Sequence, residues 1–279
     1  MVRRWSIPIL TVTLAFGSML ALAGTASAAT PRHETTLARP GAVVHAFKPG
    51  GLMQGRHVTS RDGRFTTAES TNWSGYAVTG ANGAYNSVSA SWTQPTATCT
   101  SGRRGRSSDS YAAFWVGLDG YSSESVEQTG TDSDCDGATP DYYGWYEMYP
   151  ADPVYYTNTV KPGDSISASV TFSGTETYTL VLKDSTQGWT QTQSINESGF
   201  DRSSAEVITE APCCTNSGGI LPLADFGTIN YGSSAANGTS LGSQSPTAIV
   251  MINNSGEDKD STSAINSSGG FSNTWIRSS

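Results

Sequence analysis

Residues 165–183 read SISASVTFSGTETYTLVLK, and this stretch decides the fold class. In residues 165–172 every second side chain is apolar, and residues 177–183 repeat the pattern. Side chains alternate between the two faces of a β-strand, whereas an amphipathic helix would repeat every 3 to 4 residues. Both segments are therefore predicted to be strands that bury one face.

The same alternation recurs along the chain. Residues 87–93 place Val88, Ala90 and Trp92 between polar residues, and residues 247–252 form a nearly continuous apolar run, predicted to be a strand buried on both faces. No convincing long amphipathic helix follows residue 70. Many short strands separated by turn residues predict an all-β sandwich or barrel. Stretches rich in Gly, Ser and Asn at 232–245 and 253–270 are predicted to be surface loops.

Composition excludes several other classes of protein. The chain has 279 residues, of which 14% are charged and 30 are Gly, a composition that argues against a coiled coil. An aromatic content of 10% is enough to build a core and argues against disorder. The formal net charge of −8 makes nucleic acid an unsuitable partner, because phosphate binding needs clustered Lys and Arg.

The N-terminus has the organisation of an export signal. Arg3 and Arg4 precede an uncharged apolar stretch at residues 7–23, and Ala26-Ser27-Ala28 is a small-residue cleavage site. The alternative is a membrane anchor, but the apolar stretch is shorter than the roughly 20 residues that span a bilayer. We expect a signal peptide at residues 1–28, a secreted, extracellular mature protein, and no membrane association after signal removal.

Residues 29–69 differ in charge from the rest of the mature chain. They contain six Lys/Arg and three acids, whereas residues 70–279 have a formal charge of −13. This contrast predicts a basic pro-segment that docks electrostatically on an acidic domain at 70–279 and acts as its intramolecular inhibitor. The hypothesis is that it masks the site at neutral pH and leaves as carboxylates become protonated. The alternative is a solvated tether without inhibitory role, and the mature N-terminus is expected between residues 66 and 71.

The distribution of histidines restricts the possible chemistry. All three, His33, His45 and His57, lie in the pro-segment, so the mature domain lacks the imidazole that Ser-His-Asp and Cys-His catalysis require. No Ser or Thr stands three residues before a lysine of the domain, which excludes the S-x-x-K pattern. A hydrolase built on this domain must use a carboxylate as its base and would work best at acid pH.

The four cysteines predict disulfides rather than a metal site. They are Cys99, Cys135, Cys213 and Cys214, with no C-x-x-C pair. We expect a Cys99–Cys135 disulfide, because it would bracket the most informative motif. The partners of the adjacent Cys213 and Cys214 stay open. No metal is expected.

Three segments combine strand character with acids or an amide. They are FWVGLDG at 114–120 followed by EQTG at 127–130, then WYEMYP at 145–150, and SAEVITE at 204–210. Alternation places Glu206, Ile208 and Glu210 on one face of a strand. It likewise groups Trp145, Glu147 and Tyr149, a mixture of aromatic and acidic side chains typical of a substrate cleft. From spacing alone, an ordinary solvent-exposed sheet face fits equally well.

The order of these segments, preceded by Asn72-Trp73-Ser74-Gly75, closely resembles the glutamic peptidases (eqolisins, peptidase family G1), in their secreted, bacterial-type form. The resemblance covers residues 70–279. It implies a β-sandwich of two antiparallel sheets with a concave substrate-binding face, a concanavalin/lectin-like architecture. It also implies a pepstatin-insensitive acid endopeptidase that acts on polypeptides as a monomer and needs no cofactor.

The resemblance also implies roles for individual residues. The family's catalytic Gln falls on Gln128, where it would stabilise the oxyanion, and its catalytic Glu is the second acid of the A-E-x-x-x-E stretch, Glu210. Positions matching supporting or substrate-binding residues are Trp73, Trp115, Asp119, Asp132, Trp145, Glu147, Tyr149 and Glu206. One departure is Tyr143, which stands where the family often has an acid, and it leaves the carboxylate network around the dyad open.

Two other functions remain open at the sequence level. One is a secreted carbohydrate-binding sandwich that stacks aromatic side chains on sugar rings. The other is a glycoside hydrolase that uses two of Glu147, Glu206 and Glu210 at a separation of roughly 5 to 9 Å. The second would leave the QTG segment without a role.

Overall fold

A computed structural model describes residues 51–58, 67–102, 109–213 and 219–279. The signal peptide expected at 1–28 lies outside these residues, as does the pro-segment apart from 51–58 and 67–69. Cys214 lies outside them too. Within the described part of the chain, no helix is long and apolar enough to cross a membrane.

The described residues form seventeen strands and one short 3-10 helix at Leu241–Ser243. The strands, numbered in chain order, are β1 (Gly55–Val58), β2 (Thr67–Ser70), β3 (Trp73–Thr79), β4 (Ser87–Thr93), β5 (Ala113–Leu118), β6 (Val126–Asp136), β7 (Thr139–Tyr149), β8 (Val154–Tyr155), β9 (Ser165–Phe172), β10 (Thr177–Asp184), β11 (Trp189–Asn196), β12 (Ser204–Glu210), β13 (Thr228–Ala236), β14 (Thr239–Ser240), β15 (Thr247–Met251), β16 (Asp260–Thr262) and β17 (Phe271–Trp275).

The strands form two sheets, which confirms the predicted β-sandwich. The first sheet has nine strands in the order β1-β2-β15-β3-β12-β5-β6-β7-β8. The second has the order β11-β10-β9-β4-β13-β17-β16, with β14 paired to β13. Neighbouring strands are antiparallel, except that β2 and β15 run parallel.

Alternating side chains fill the space between the sheets. Val116 and Val207 of the first sheet share one buried cluster with Val170 and Leu180 of the second. The strands at the centre of the first sheet, β5 and β12, are buried on both faces. A second cluster, with Trp73, Trp115, Trp145 and Ile208, covers their opposite face, which we call the outer face.

Most of the predicted strands are confirmed. The strands at 87–93 and 165–172 have the expected bounds, and the strand at 177–183 continues to Asp184. The prediction that 247–252 is buried on both faces is wrong, because only Ile249 and Met251 of β15 are fully buried. The predicted loops are wrong in part, since β13 continues to Ala236 and 253–270 contains β16.

The expected disulfide between Cys99 and Cys135 is confirmed, with Cα atoms 5.4 Å apart. It ties the segment after β4 to the end of β6. The expected boundary between residues 69 and 70 falls inside β2, a strand that pairs with both β1 and β15. The two sides of that boundary therefore belong to the same strand.

Candidate active site

The candidate residues lie on four adjacent strands of the first sheet, β12, β5, β6 and β7. Because side chains alternate, register determines which of them share the outer face. Three cross-strand rows lie on this face: Glu206–Gly117–Gln128–Glu147, Ile208–Trp115–Gly130–Trp145 and Glu210–Ala113–Asp132–Tyr143. The structure therefore brings Gln128, Glu147, Glu206 and Glu210 to one face. Alternation had predicted only the groupings within a strand, Glu206 with Glu210 and Glu147 with Trp145 and Tyr149.

Among the described residues, two neutral donors hydrogen-bond to Glu210. The indole Nε1 of Trp115 donates to Glu210 Oε2 at 2.9 Å, and the amide Nδ2 of Asn72 donates to Oε1 at 3.3 Å. Trp73 packs edge-on against Trp115, with ring centroids 4.9 Å apart, and both indoles are fully buried. Neither donor titrates, so both can orient this carboxyl group over a wide range of pH.

Gln128 is oriented by a neighbouring carboxyl group. Its Nε2 donates to Glu147 Oε2 at 2.7 Å across the β6–β7 pair. Its side-chain oxygen has no hydrogen-bond partner among the described residues. Gln128 and Glu210 lie on strands two apart in the sheet, and Trp115 occupies the same face of the strand between them.

Two glycines make room for this arrangement. A Cβ on Gly130 would lie 2.6 Å from Trp115 Cβ and 2.2 Å from the carbonyl oxygen of Phe114, so no other residue fits there. A Cβ on Gly117 would come within 2.8 Å of the Trp115 ring. The Trp115 ring therefore occupies the space above Gly117, which lies between Glu206 and Gln128 in their shared row.

A buried pair of aspartates lies beside the proposed dyad. Asp132 accepts from Trp145 Nε1 at 2.6 Å and lies 3.0 Å from the Tyr143 hydroxyl, which is also 2.5 Å from Asp134. Burial and the neighbouring Asp134 raise the pKa of Asp132 well above its usual range, and burial raises the pKa of Asp134 to about 7. Tyr143, the departure from the family pattern, is thus the group that bridges this pair.

The other predicted site residues, Glu206, Tyr149 and Asp119, lie in three different surroundings. Glu206 is fully buried on the outer face, and burial raises its pKa well above the ordinary value, which favours a protonated carboxyl. Tyr149 packs at the edge of the aromatic cluster. Asp119 accepts from the backbone of Arg202 at 2.5 Å and of Ser203 at 2.8 Å. Its hydrogen bonds hold that loop rather than reaching the dyad.

The sequence reasoning missed Asn72 and its partners. Besides Glu210, the Asn72 side chain donates to the Leu52 carbonyl at 3.1 Å and accepts from the Gln54 N–H at 2.8 Å. The N–H of Met53 donates to the Gly120 carbonyl at 3.2 Å. Residues 51–54, here called the covering segment, therefore lie against the outer face. The motif NWSG was the only signal for Asn72, because contacts across the fold leave no periodicity in sequence.

A metal centre finds no support in the described ranges, which contain no group of three or more His, Cys, Asp or Glu side chains placed to hold an ion. The described side chains that hydrogen-bond to Glu210 are the Trp115 indole and the Asn72 amide. Their arrangement suits proton transfer and hydrogen bonding to an uncharged polar substrate such as a peptide bond.

Comparisons with known proteins agree with the motifs. Scytalidopepsin B from Scytalidium lignicola is 34% identical over 169 residues, which cover 57% of this chain and 60% of that relative, so the chain spans less than two thirds of its length.

Two solved structures share the fold. The crystal structure of scytalido-glutamic peptidase with a transition state analog inhibitor matches with a TM-score of 0.62 and 27% identity, covering 74% of this chain and 98% of that one. The structure of SCP-B, described as a member of the eqolisin family in a complex with the tripeptide Ala-Ile-His, matches with a TM-score of 0.57 and 26% identity, again covering 74% and 98%. The model of the Peptidase A4 family matches residues 71–275, and the chain belongs to that family.

Proposed function

We propose that this chain is a secreted acid endopeptidase in which Glu210 activates water and Gln128 stabilises the oxyanion. The observation that carries the proposal is the placement of both groups on one buried face, with Trp115 on the intervening strand donating to Glu210. The relatives support it, since one is named as a peptidase bound to a transition state analog and another is bound to a tripeptide.

The residue types account for each step of hydrolysis. Ionised Glu210 takes a proton from a bound water, which attacks the carbonyl carbon of the scissile bond. The carboxyl then passes the proton to the leaving amine, so that it acts first as base and then as acid. The Gln128 amide donates to the developing oxyanion, and Glu147 fixes its orientation. An amide has no charge to lose, so this donor works at acid pH.

Acid digestion of denatured casein tests the proposal. We expect the wild-type protein to cleave casein at pH 3–4 in the presence of pepstatin, and Glu210→Gln to lose this activity while keeping its fold. Glu206→Gln is the matched control, because it removes a buried carboxyl from the same face of the same strand and should retain more activity. Equal activity of Glu210→Gln and wild type would exclude Glu210 as the base.

The same assay separates the competing functions. A carbohydrate-binding protein would bind a polysaccharide and leave both casein and glycan intact. A glycoside hydrolase would release sugar from the glycan. Casein cleavage without glycan hydrolysis is the result that the peptidase proposal predicts.

We further propose that the pro-segment inhibits the enzyme through the covering segment. A Cβ on Gly51 would lie 3.9 Å from Glu210 Oε1, while Leu52 and Met53 pack against the aromatic cluster. Glu210 and Gln128 are both fully buried, and Glu210 lies directly beneath this cover. A polypeptide substrate would have to bind at the position that the covering segment occupies, so the segment blocks its access to Glu210.

A double substitution in the covering segment tests the inhibition. Leu52→Asp with Met53→Asp puts charge against buried indoles and should release the segment. We expect wild type to show a lag before casein digestion on transfer from neutral to acid pH, and the double variant to show a shorter lag. The conservative Leu52→Ile is the control. An unchanged lag in the double variant would mean that this contact does not inhibit.

A further inference from the structure

A polar pocket lies where the covering segment ends. Its volume is about 540 Å³, and its lining includes Gln54, Thr71, Ile220, Asn253 and Lys259. Gln54 is the last residue of the covering segment. Its side-chain Nε2 lies 3.7 Å from the sulfur of Cys213, three residues after Glu210. The pocket is therefore adjacent to the proposed catalytic site.

Lys259 places a positive charge in this pocket. Its side chain is almost fully buried, and among the described lining residues it is the only charged side chain. The pocket also contains the α-carboxylate of Ser279. The carboxyl of the neighbouring Asp260 is engaged by the Ser74 hydroxyl, and Glu257 pairs with Arg277 at 2.8 Å. Within the described residues, the Lys259 amine has no ion pair.

The protonation state of Lys259 follows from its surroundings. Burial lowers its pKa to about 8, and the negative charge of Asp260 partly opposes that shift. The exposed Asp258 is the other acid beside it in sequence. The amine is therefore cationic at any pH below about 8. No carboxylate of the described residues forms an ion pair with it, the α-carboxylate of Ser279 included, and a buried cation without an ion pair favours binding of an anion.

The covering segment shows how a polypeptide would reach the pocket. The Gln54 carbonyl accepts from Thr71 N–H at 2.7 Å and from the Ser70 hydroxyl at 2.8 Å. Its N–H donates to Asn72, which also contacts Glu210. An extended chain on the same path covers the distance from Glu210 to the pocket in three residues, or about 10 Å.

We propose that the Lys259 pocket is a subsite for an acidic side chain of the substrate, about three residues from the position beside Glu210. This inference rests on the proposed peptidase function and names one feature of its substrates. The amine of Lys259 would pair with the ionised carboxylate, and the polar side chains of Thr71 and Asn253 would surround it.

The proposal predicts that the preference for Glu over Gln at this subsite increases with pH. A Glu side chain of a peptide ionises around pH 4.3, whereas Lys259 stays charged throughout the acid range. Preference for Glu over Gln should therefore be weak at pH 3 and grow as pH rises to 5.5. A charge-assisted contact in a partly buried site is expected to favour Glu by about tenfold.

Matched peptides test the subsite with the acid-activated full-length protein. The peptides share one cleavable core and carry Glu or Gln at one of the four positions on either side, and kcat/KM is measured from pH 3 to 5.5. We expect one position to show the rising Glu preference. Lys259→Met should abolish this preference, whereas Lys259→Arg should keep it. Lys183→Met, an exposed lysine of β10, is the control and should behave as wild type.

The outcomes separate the two proposals. Equal cleavage of the Glu and Gln peptides at every position by the wild-type protein would overturn the subsite while leaving the peptidase proposal intact, and this comparison needs no variant. A Glu preference that survives in Lys259→Met would also overturn it. Failure to cleave any peptide or casein would overturn the peptidase function and the subsite with it.

Discussion

At the scale of the residue, Gln128 is the side chain whose proposed role is most directly measurable. Its amide is neutral, fully buried and oriented by Glu147, so the substitution Gln128→Ala removes a preorganised donor without adding charge. Loss of one oxyanion donor typically lowers kcat by about 100- to 1000-fold. We expect a fall in kcat of that size with a smaller change in KM, measured on a peptide at pH 3–4.

The control for this variant is Gln191→Ala on β11, at the far edge of the second sheet. It removes the same chemical group from a position remote from the outer face and should leave kcat unchanged. A Gln128→Ala protein with wild-type kcat would exclude the amide from transition-state stabilisation.

Which candidates of one strand share a face could be predicted from sequence, because alternation is a local property of a strand. The grouping of Glu206, Ile208 and Glu210 follows from their spacing alone. The contacts of Asn72 and Asp134 could not be predicted, since they depend on how distant segments meet. Asn72 contacts residues 20 positions before it and 138 after it.

At the scale of the element, β2 lies where the sequence suggested the end of the pro-segment. Ala68 and Ser70 are fully buried, Ile252 N–H donates to the Ser70 carbonyl at 2.8 Å, and Trp73 N–H donates to the Ser70 hydroxyl at 3.1 Å. β2 thus supports both its parallel neighbour β15 and the start of β3, which carries Trp73. We infer that the mature domain needs residues 67–70.

Truncation measures this contribution. A chain beginning at Thr67 should keep the fold, and one beginning at Asn72 should lose the β2–β15 pairing and leave buried polar groups unsatisfied. We expect the second chain to unfold at a temperature lower by about 5 °C or more in a calorimetric scan. Equal unfolding temperatures would show that β2 is dispensable and would favour a mature N-terminus just ahead of Asn72.

Elements with strong alternation were predictable, and elements made of small polar residues were not. β9 and β10 alternate apolar and other side chains, from Ile166 to Phe172 and from Tyr178 to Leu182, so their pattern predicts a strand directly. The end of β13 reads GSSAA and has little intrinsic strand preference. It becomes a strand because β4 pairs with it across a local irregularity in register, a tertiary effect that composition does not reveal.

At the scale of the whole molecule, several acids are buried in positions that favour their protonated form. Burial raises the pKa of Asp134 and Asp260 to about 7 and that of Glu127 to about 9, and it raises those of Asp132 and Glu206 well above their ordinary values. The folded protein therefore binds more protons than the unfolded chain over this range. Stability linked to these groups is complete below pH 4 and is lost as pH rises through 7 and toward 9.

This linkage predicts a protein that is most stable in acid. A raised pKa of one unit corresponds to about 1.4 kcal/mol for each group, and residues 70–279 also repel one another less as their carboxylates become neutral. The lowered pKa of Lys259 makes the stability rise with pH instead, but only above pH 8, where the buried amine has already lost its proton. We expect the unfolding temperature to be lower at pH 8 than at pH 4 by about 5 °C or more.

A pair of isosteric variants tests whether buried carboxyl groups cause the dependence of stability on pH. Asp260→Asn keeps a neutral hydrogen-bonding group beside Ser74 and cannot ionise, so it should lose less stability than wild type between pH 5 and pH 8. Glu197→Gln removes an exposed carboxyl and should follow the wild-type profile. If wild type were instead more stable at pH 8 than at pH 4, the buried carboxyls would have to be ionised in the native state.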